Sequence, residues 1–228
     1  MSEMTDVSRV LFPCDWNSAQ AALRAVYESR GTIWSLVVPK RPQPHRMTAD
    51  QALTAVRDGV VRLKGDGSES LTLTATGGYQ LGEVMKASSR LDERGISHMV
   101  NYLMEPGRFR QPRDDMEAGA LAPASVAEEL FPKGALARVF LTHTRAAAFT
   151  GTIRQLDTGA ASTHVLGYAN RGGTLDANGM LFANRTTWAH ALEKVAVAVG
   201  MQAAELLSAD ELDAVHGRAD PSILNRPE

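Results

Sequence analysis

The chain has 228 residues, more than one average domain and less than two, and its 24 basic against 26 acidic side chains leave a net charge of −2, which argues against a nucleic-acid binder and an acidic disordered tail. Apolar residues at 44% and charged residues at 22% fit an ordinary folded globule, and a single cysteine, Cys14, rules out a disulfide framework or a thiolate zinc site. No apolar run approaches the roughly 18 residues of a membrane span and no signal-peptide layout opens the chain, so the sequence reads as a cytoplasmic, enzyme-like protein.

Residues 7–13 read as a short strand stopped by Pro13. Asp15 or Asn17 can cap the helix that follows, whose apolar positions Ala21, Ala22, Ala25 and Val26 recur at helical spacing. Gly31 ends it. Residues 32–38 form a nearly continuous apolar run, the pattern of a strand buried on both faces of a parallel sheet. Strand, helix and strand in this order make a βαβ unit, or the tail of one. Three prolines and three cations between Pro39 and Arg46 then keep the backbone extended and mark the clearest domain boundary.

Beyond it, a helix is predicted over 48–63, a turn over 64–68, and a β-branched strand over 71–76 ending on Gly77-Gly78. A helix over 80–93 and a strand over 96–103 follow. Residues 105–133, with Glu105-Pro106-Gly107-Arg108-Phe109-Arg110 at their head, read as a mobile, charged stretch. Further strands are predicted over 137–143 and 163–168, with a helix over 146–156 between them. The glycine-rich 170–174 is a loop, helices occupy 187–199 and 209–216, and 220–228 is a frayed end. Strands alternating with helices give an α/β, three-layer fold with a mostly parallel sheet, preceded by a strand-helix-strand remnant.

Several short signals carry two readings. Gly65-Asp66-Gly67 has the look of a diphosphate-magnesium motif, but it follows a polar helix end and lacks an asparagine pair downstream, so it is read as a turn. Gly77-Gly78 lies where an anion meets helix N–H groups, yet without fingerprint spacing a tight turn is the plainer reading. The charges of Asp114, Asp115 and Glu117 cancel those around Arg108 and Arg110, which leaves a solvated loop. Cys14 reads as a small buried hydrophobe. His143 and His164 lie at strand ends, where ligands gather in open sheets; for His143 a structural role weighs equally, and for His164 it is the plainer reading. Lys40 ends the most apolar strand, the place where such a sheet presents charge to an anion. The alternative is a solvated lysine in a linker.

Phe12-Pro13-Cys14-Asp15-Trp16-Asn17, then residues 34–44 and Met47-Thr48-Ala49-Asp50-Gln51-Ala52, resemble thiamine-diphosphate-dependent phosphoketolases of the transketolase superfamily, at the passage from the pyrimidine-binding domain to the C-terminal domain. Ala75-Thr76-Gly77-Gly78, Val139-Phe140-Leu141-Thr142-His143, and His164-Val165-Leu166-Gly167-Tyr168 with Gly173-Thr174-Leu175 keep the order. The sequence departs from the family at Thr144-Arg145 and at Ala169-Asn170-Arg171.

The resemblance implies a division into 1–38, the remnant of a pyrimidine-binding domain; 39–50, a linker; 51–200, a phosphoketolase-like C-terminal domain; and 201–228, a terminal helix and tail. It implies a lyase that cleaves xylulose 5-phosphate or fructose 6-phosphate with inorganic phosphate to acetyl phosphate. Thiamine diphosphate and Mg serve the complete enzyme and none is expected on this chain alone, which is expected to be inactive. The remainder of the enzyme, or a partner chain, completes it, and a homo-oligomer, a dimer, is expected. Lys40 matches the family's substrate-phosphate-binding cation, whereas His143 supports the site from behind or is structural; no catalytic, cofactor-binding or metal residue is assigned. Two other readings stand: a related transketolase- or epimerase-type enzyme, and a non-catalytic α/β assembly module.

Overall fold

The computed structural model describes residues 4–169 and 174–225. Its first unit is β1 (Ser8–Leu11), α1 (Trp16–Glu28) and β2 (Ile33–Leu36), with the two strands parallel. Asp15 caps α1 through a reciprocal pair of hydrogen bonds with Ser18. The carboxylate also accepts from the backbone N–H of Arg46 (2.8 Å) and Met47 (3.0 Å), so one side chain starts the helix and anchors the extended segment after β2. Residues 37–48 contain no helix or strand.

α2 (Ala49–Asp58) ends at Gly59, whose φ of +81° is the left-handed cap that favours glycine. The predicted helix over 48–63 is therefore corrected. Its last turn is replaced by β3 (Val60–Lys64), antiparallel to its neighbour and bulged between Arg62 and Lys64. Then come β4 (Leu71–Thr76), α3 (Gly78–Glu93), β5 (Met99–Leu103), α4 (Asp115–Ala118), α5 (Ala124–Leu130), β6 (Ala137–Thr142), α6 (Ala146–Thr152), β7 (Thr163–Leu166), α7 (Ala177–Ala183), α8 (Trp188–Val199) and α9 (Ala209–Val215). The five-stranded sheet runs β3-β5-β4-β6-β7, parallel except for β3. This is the α/β, mostly parallel architecture that the alternation of elements predicts.

Strand side chains alternate between the two faces. Leu71, Leu73, Ala75, Val100, Tyr102, Val139 and Leu141 join the core beneath α3 and α8, together with Trp188, Leu192 and Val195. On the other face Leu103 and Phe140 pack with Val60, Phe109, Phe131, Phe149 and Ile153. That second cluster corrects the mobile reading of 105–133. Phe109 and Phe131 are buried, Glu117 is buried and accepts from the N–H groups of Thr5 and Arg113, and Arg108 donates to the carbonyls of Arg57 and Leu121.

Two further expectations change. β2 is not buried on both faces: Ile33 is 63% exposed, and Val38 just beyond the strand is exposed as well. The end of the chain is not frayed as far as it is described, because a 3-10 turn at Pro221–Leu224 buries Leu224, whose carbonyl accepts from the Trp188 indole at 2.8 Å. Residues 170–173 of the predicted loop and 226–228 lie outside the described residues. Among the described residues no helix is long and apolar enough to cross a membrane.

Candidate functional site

β5 lies on one side of β4 and β6 on the other, so successive crossovers leave β4 in opposite directions. In open parallel sheets, the crevice at such a reversal, outside the carboxyl ends of the strands, is where ligands bind. Here the loop after β4 begins with Gly77 and the loop after β6 with His143. Both border the crevice.

The geometry of Gly77-Gly78 explains why two glycines stand there. Gly77 has a φ of +108°, and a Cβ on it would lie 2.5 Å from Gln80 Oε1. A Cβ on Gly78 would lie 2.6 Å from Cγ of Pro39 and 3.2 Å from the carbonyl of Cys14. The segment after β2 therefore sits directly on the start of α3, and this close approach brings Lys40 to the mouth of the crevice.

The crevice opens into a cleft of about 330 Å³, lined by Lys40, Tyr79, Gln80, His143, Tyr168 and Met180 among others. A smaller recess shares Lys40, Gln80 and His143 and reaches Phe12, Pro39 and Gly77. Lys40 is exposed at this rim. His143 also presents open surface, yet the packing around its ring lowers its pKa and favours the neutral imidazole. Asn184 holds the far wall, donating to the Met180 carbonyl and accepting from the N–H of Ala169, both at 2.7 Å.

The structure thus brings Lys40, Gly77, Gly78 and His143, which lie in three separate stretches of sequence, to one cleft. His164 stands apart on β7 and does not line it. Cys14 lies beneath the recess, where burial and then the neighbouring Asp15 charge push its thiol up to about 12, so it is a neutral packing group rather than a nucleophile. Tyr79, Gln80, Tyr168 and Met180 were not singled out as site residues from the sequence. Gln80 had one legible signal, its place three residues after a strand-ending glycine, in the first turn of a helix.

Gly65-Asp66-Gly67 is a turn. Glu69 accepts from the N–H groups of Asp66 and Gly67, and Asp66 accepts from that of Ser68. Its carboxylates are turned onto their own backbone, and no cluster of metal-ligating side chains occurs among the described residues. The residues present do not fit a diphosphate-magnesium group.

Comparison with solved structures places the fold. A transketolase from Leishmania mexicana superimposes with a TM-score of 0.62 at 14% identity, covering 85% of this chain and 26% of that one. A transketolase mutant from Pichia stipitis gives 0.61 at 19% identity, over 89% and 27%. A split-gene transketolase chain, described as an inactive beta4 tetramer, gives 0.58 at 14% identity, over 85% and 57%. The fold is that of a transketolase C-terminal domain. This chain spans about a quarter of the full-length transketolases it matches. No protein-family model and no curated protein matches it.

Proposed function

We propose that the chain is the terminal part of a thiamine-diphosphate-dependent sugar-phosphate enzyme of the phosphoketolase type, and that Lys40 binds the substrate phosphate. The observation that carries this reading is the position of Lys40. It does not end the strand as expected but lies four residues beyond the carboxyl end of β2, in the extended segment that packs Pro39 against Gly78 at the start of α3, and it faces a cleft shared with His143. The collinear sequence resemblance and the transketolase-like fold agree with it. The division at residues 39–50 belongs to the same reading.

The residues of this chain do not fit the cofactor by themselves, so the carbon-carbon cleavage belongs to the complete enzyme, whether one longer chain or an assembly. The first unit supports that view. The N–H groups of Ile33 and Val37 pair with the carbonyls of Val7, just before β1, and of Leu11 at its end. Alternation then turns the backbone groups of Trp34 and Leu36 outward, along an edge ready for another strand. Trp16, Leu23 and Tyr27, at positions i, i+7 and i+11, put an exposed apolar stripe along α1 of the same unit.

The test uses the complete enzyme with Lys40→Met. Loss of a hydrogen bond to a charged group is worth about 1.5–3 kcal/mol, roughly a 10- to 150-fold rise in KM for the ketose phosphate, with little change for an unphosphorylated ketose. Equal losses on both substrates would remove Lys40 from the phosphate site. Acetyl phosphate formed from ketose phosphate and inorganic phosphate supports the lyase; transfer of the two-carbon unit to an aldose phosphate would instead favour the transketolase-type alternative. Binding of thiamine diphosphate by the isolated chain at micromolar affinity, read by calorimetry, would overturn the division of labour.

A further inference from the structure

We infer that the hollow between the edge strand β7 and helix α8 is a second binding site, built to take a small carboxylate with a branched aliphatic body. It lies outside the cleft of Lys40 and His143, and its existence does not depend on the function proposed for that cleft.

Arg185 holds an unusual backbone. α7 closes in a Schellman turn, in which the N–H of Arg185 bonds the carbonyl of Phe182 at 2.8 Å and that of Thr186 bonds the carbonyl of Leu181 at 2.9 Å. This turn sets the φ of Arg185 at +55°, and every other described residue with a positive φ is a glycine. A Cβ is disfavoured in that conformation, and such strain gathers where a side chain has a task. The fold gives Arg185 none. It is exposed, and its guanidinium makes no hydrogen bond or ion pair among the described residues. What it borders is a hollow of about 270 Å³.

The two walls of the hollow specify the ligand. On one side His190, Glu193 and Lys194, at i, i+3 and i+4 of α8, share a face with Arg185 beside them. Lys194 is exposed and, like Arg185, has no ion pair among the described residues. Glu193 is engaged from outside the hollow by His216 Nε2 at 2.8 Å. Burial, then the charge of Arg185, pushes the His190 pKa down to about 4, so its ring is neutral at neutral pH. Two cations against one carboxylate leave a single positive charge. The facing wall is apolar, made by Ala146, Val165 and Leu166, and β7 is the last strand of its sheet, so no further strand covers it. One net positive charge opposite an aliphatic wall suits a monoanion with a hydrocarbon body, and a guanidinium can grip its carboxylate with two parallel hydrogen bonds. Asn184 lines both this hollow and the cleft, which sets the two sites back to back.

The experiment is a titration of the whole chain with isovalerate, isovaleramide and inorganic phosphate, followed by backbone amide resonances. Isovalerate is expected to give saturable shifts at Val165, Leu166, Arg185 and Lys194. Isovaleramide keeps the body and lacks the charge, and is expected to bind about tenfold more weakly or worse. Phosphate has charge without the body and is expected to give no saturable shift. Arg185→Gly is expected to weaken isovalerate about tenfold or more while the thermal midpoint holds or rises, because glycine suits the left-handed turn. Lys194→Gln, at an exposed position, is expected to weaken isovalerate with the midpoint unchanged. A lowered midpoint with unaltered binding in Arg185→Gly would make that arginine structural and overturn the site. Parent-like isovalerate binding by Lys194→Gln, equal binding of the amide, or phosphate bound as well as isovalerate would each overturn it too, as would the absence of any saturable shift with isovalerate.

Discussion

The hydroxyl of Tyr102, on β5 beside the central strand β4, donates to the carbonyl of Phe12 just after β1 and accepts from the N–H of Gly77 at the head of the cleft. One buried oxygen therefore joins the first unit, the main sheet and the site. Burial is the main reason why its pKa stands well above the ordinary tyrosine value, so it remains a donor throughout the physiological range. In Tyr102→Phe the Phe12 carbonyl is left unpaired, at a cost of about 1–3 kcal/mol. The Gly77 N–H is released at the same time and becomes available to Gln80. The variant is expected to melt earlier. Scanning calorimetry of the variant against the parent reads the difference.

Arg9 on β1 forms a two-point ion pair with Glu105, whose side chain is 1% exposed, and lays its guanidinium over the Trp34 ring at 4.3 Å from the centroid. Removing the cation strands a buried carboxylate, so Arg9→Met is expected to cost about 3 kcal/mol in chemical unfolding. The double variant Arg9→Met/Glu105→Leu is expected to recover most of that loss, since replacing a buried pair by apolar groups is often neutral. A double variant as unstable as the sum of the singles would show that the pair is not the source of the cost.

Asp15 links stability to pH. Burial alone would raise its pKa, but hydrogen bonds from Ser18, Arg46 and Met47 outweigh burial and hold the carboxyl below its ordinary value. A folded-state pKa below the unfolded one means that this contribution is complete above the unfolded pKa of about 3.9. It is lost as pH falls through the folded value. Asp15→Asn should thus be less stable than the parent at pH 7, by about 1–3 kcal/mol, with the gap narrowing steadily below pH 4. Urea unfolding across that range reads the gap. A gap independent of pH would assign the effect to geometry rather than to charge.

Much of the fold could be read from the order of residues. The threonine-rich run Leu71–Thr76, the apolar face of α8 and the strand at Ala137–Thr142 announce themselves through period and β-branching. The pattern failed where a short-range signal was overridden. Val60 to Lys64 continues the helical spacing of α2, yet the left-handed turn at Gly59 releases it to pair antiparallel with β5. Residues 105–133 look polar because the stretch carries many charges, but Glu117, Arg108 and Arg110 spend theirs internally. At the site, Lys40, Gly77 and His143 were legible because strand ends are. Gln80 was legible only as a first-turn residue, since what leaves its side chain without a cap to make is a bond that Tyr102, distant in sequence, has already taken.

The open edge of β2 carries a restriction of symmetry. Two copies joined edge to edge through a two-fold axis normal to the sheet would set their β2 strands antiparallel, each occupying the other's only free rail. Every pairing in this small sheet is parallel. Continuing it in the same sense requires a strand that is not the mirror role of β2, and hence an unlike neighbour, contributed by another chain or by further residues of the same one. A like-with-like join along this edge would close the sheet as a pair and block that neighbour. Self-association through β2 and the addition of such a strand would therefore compete for one surface.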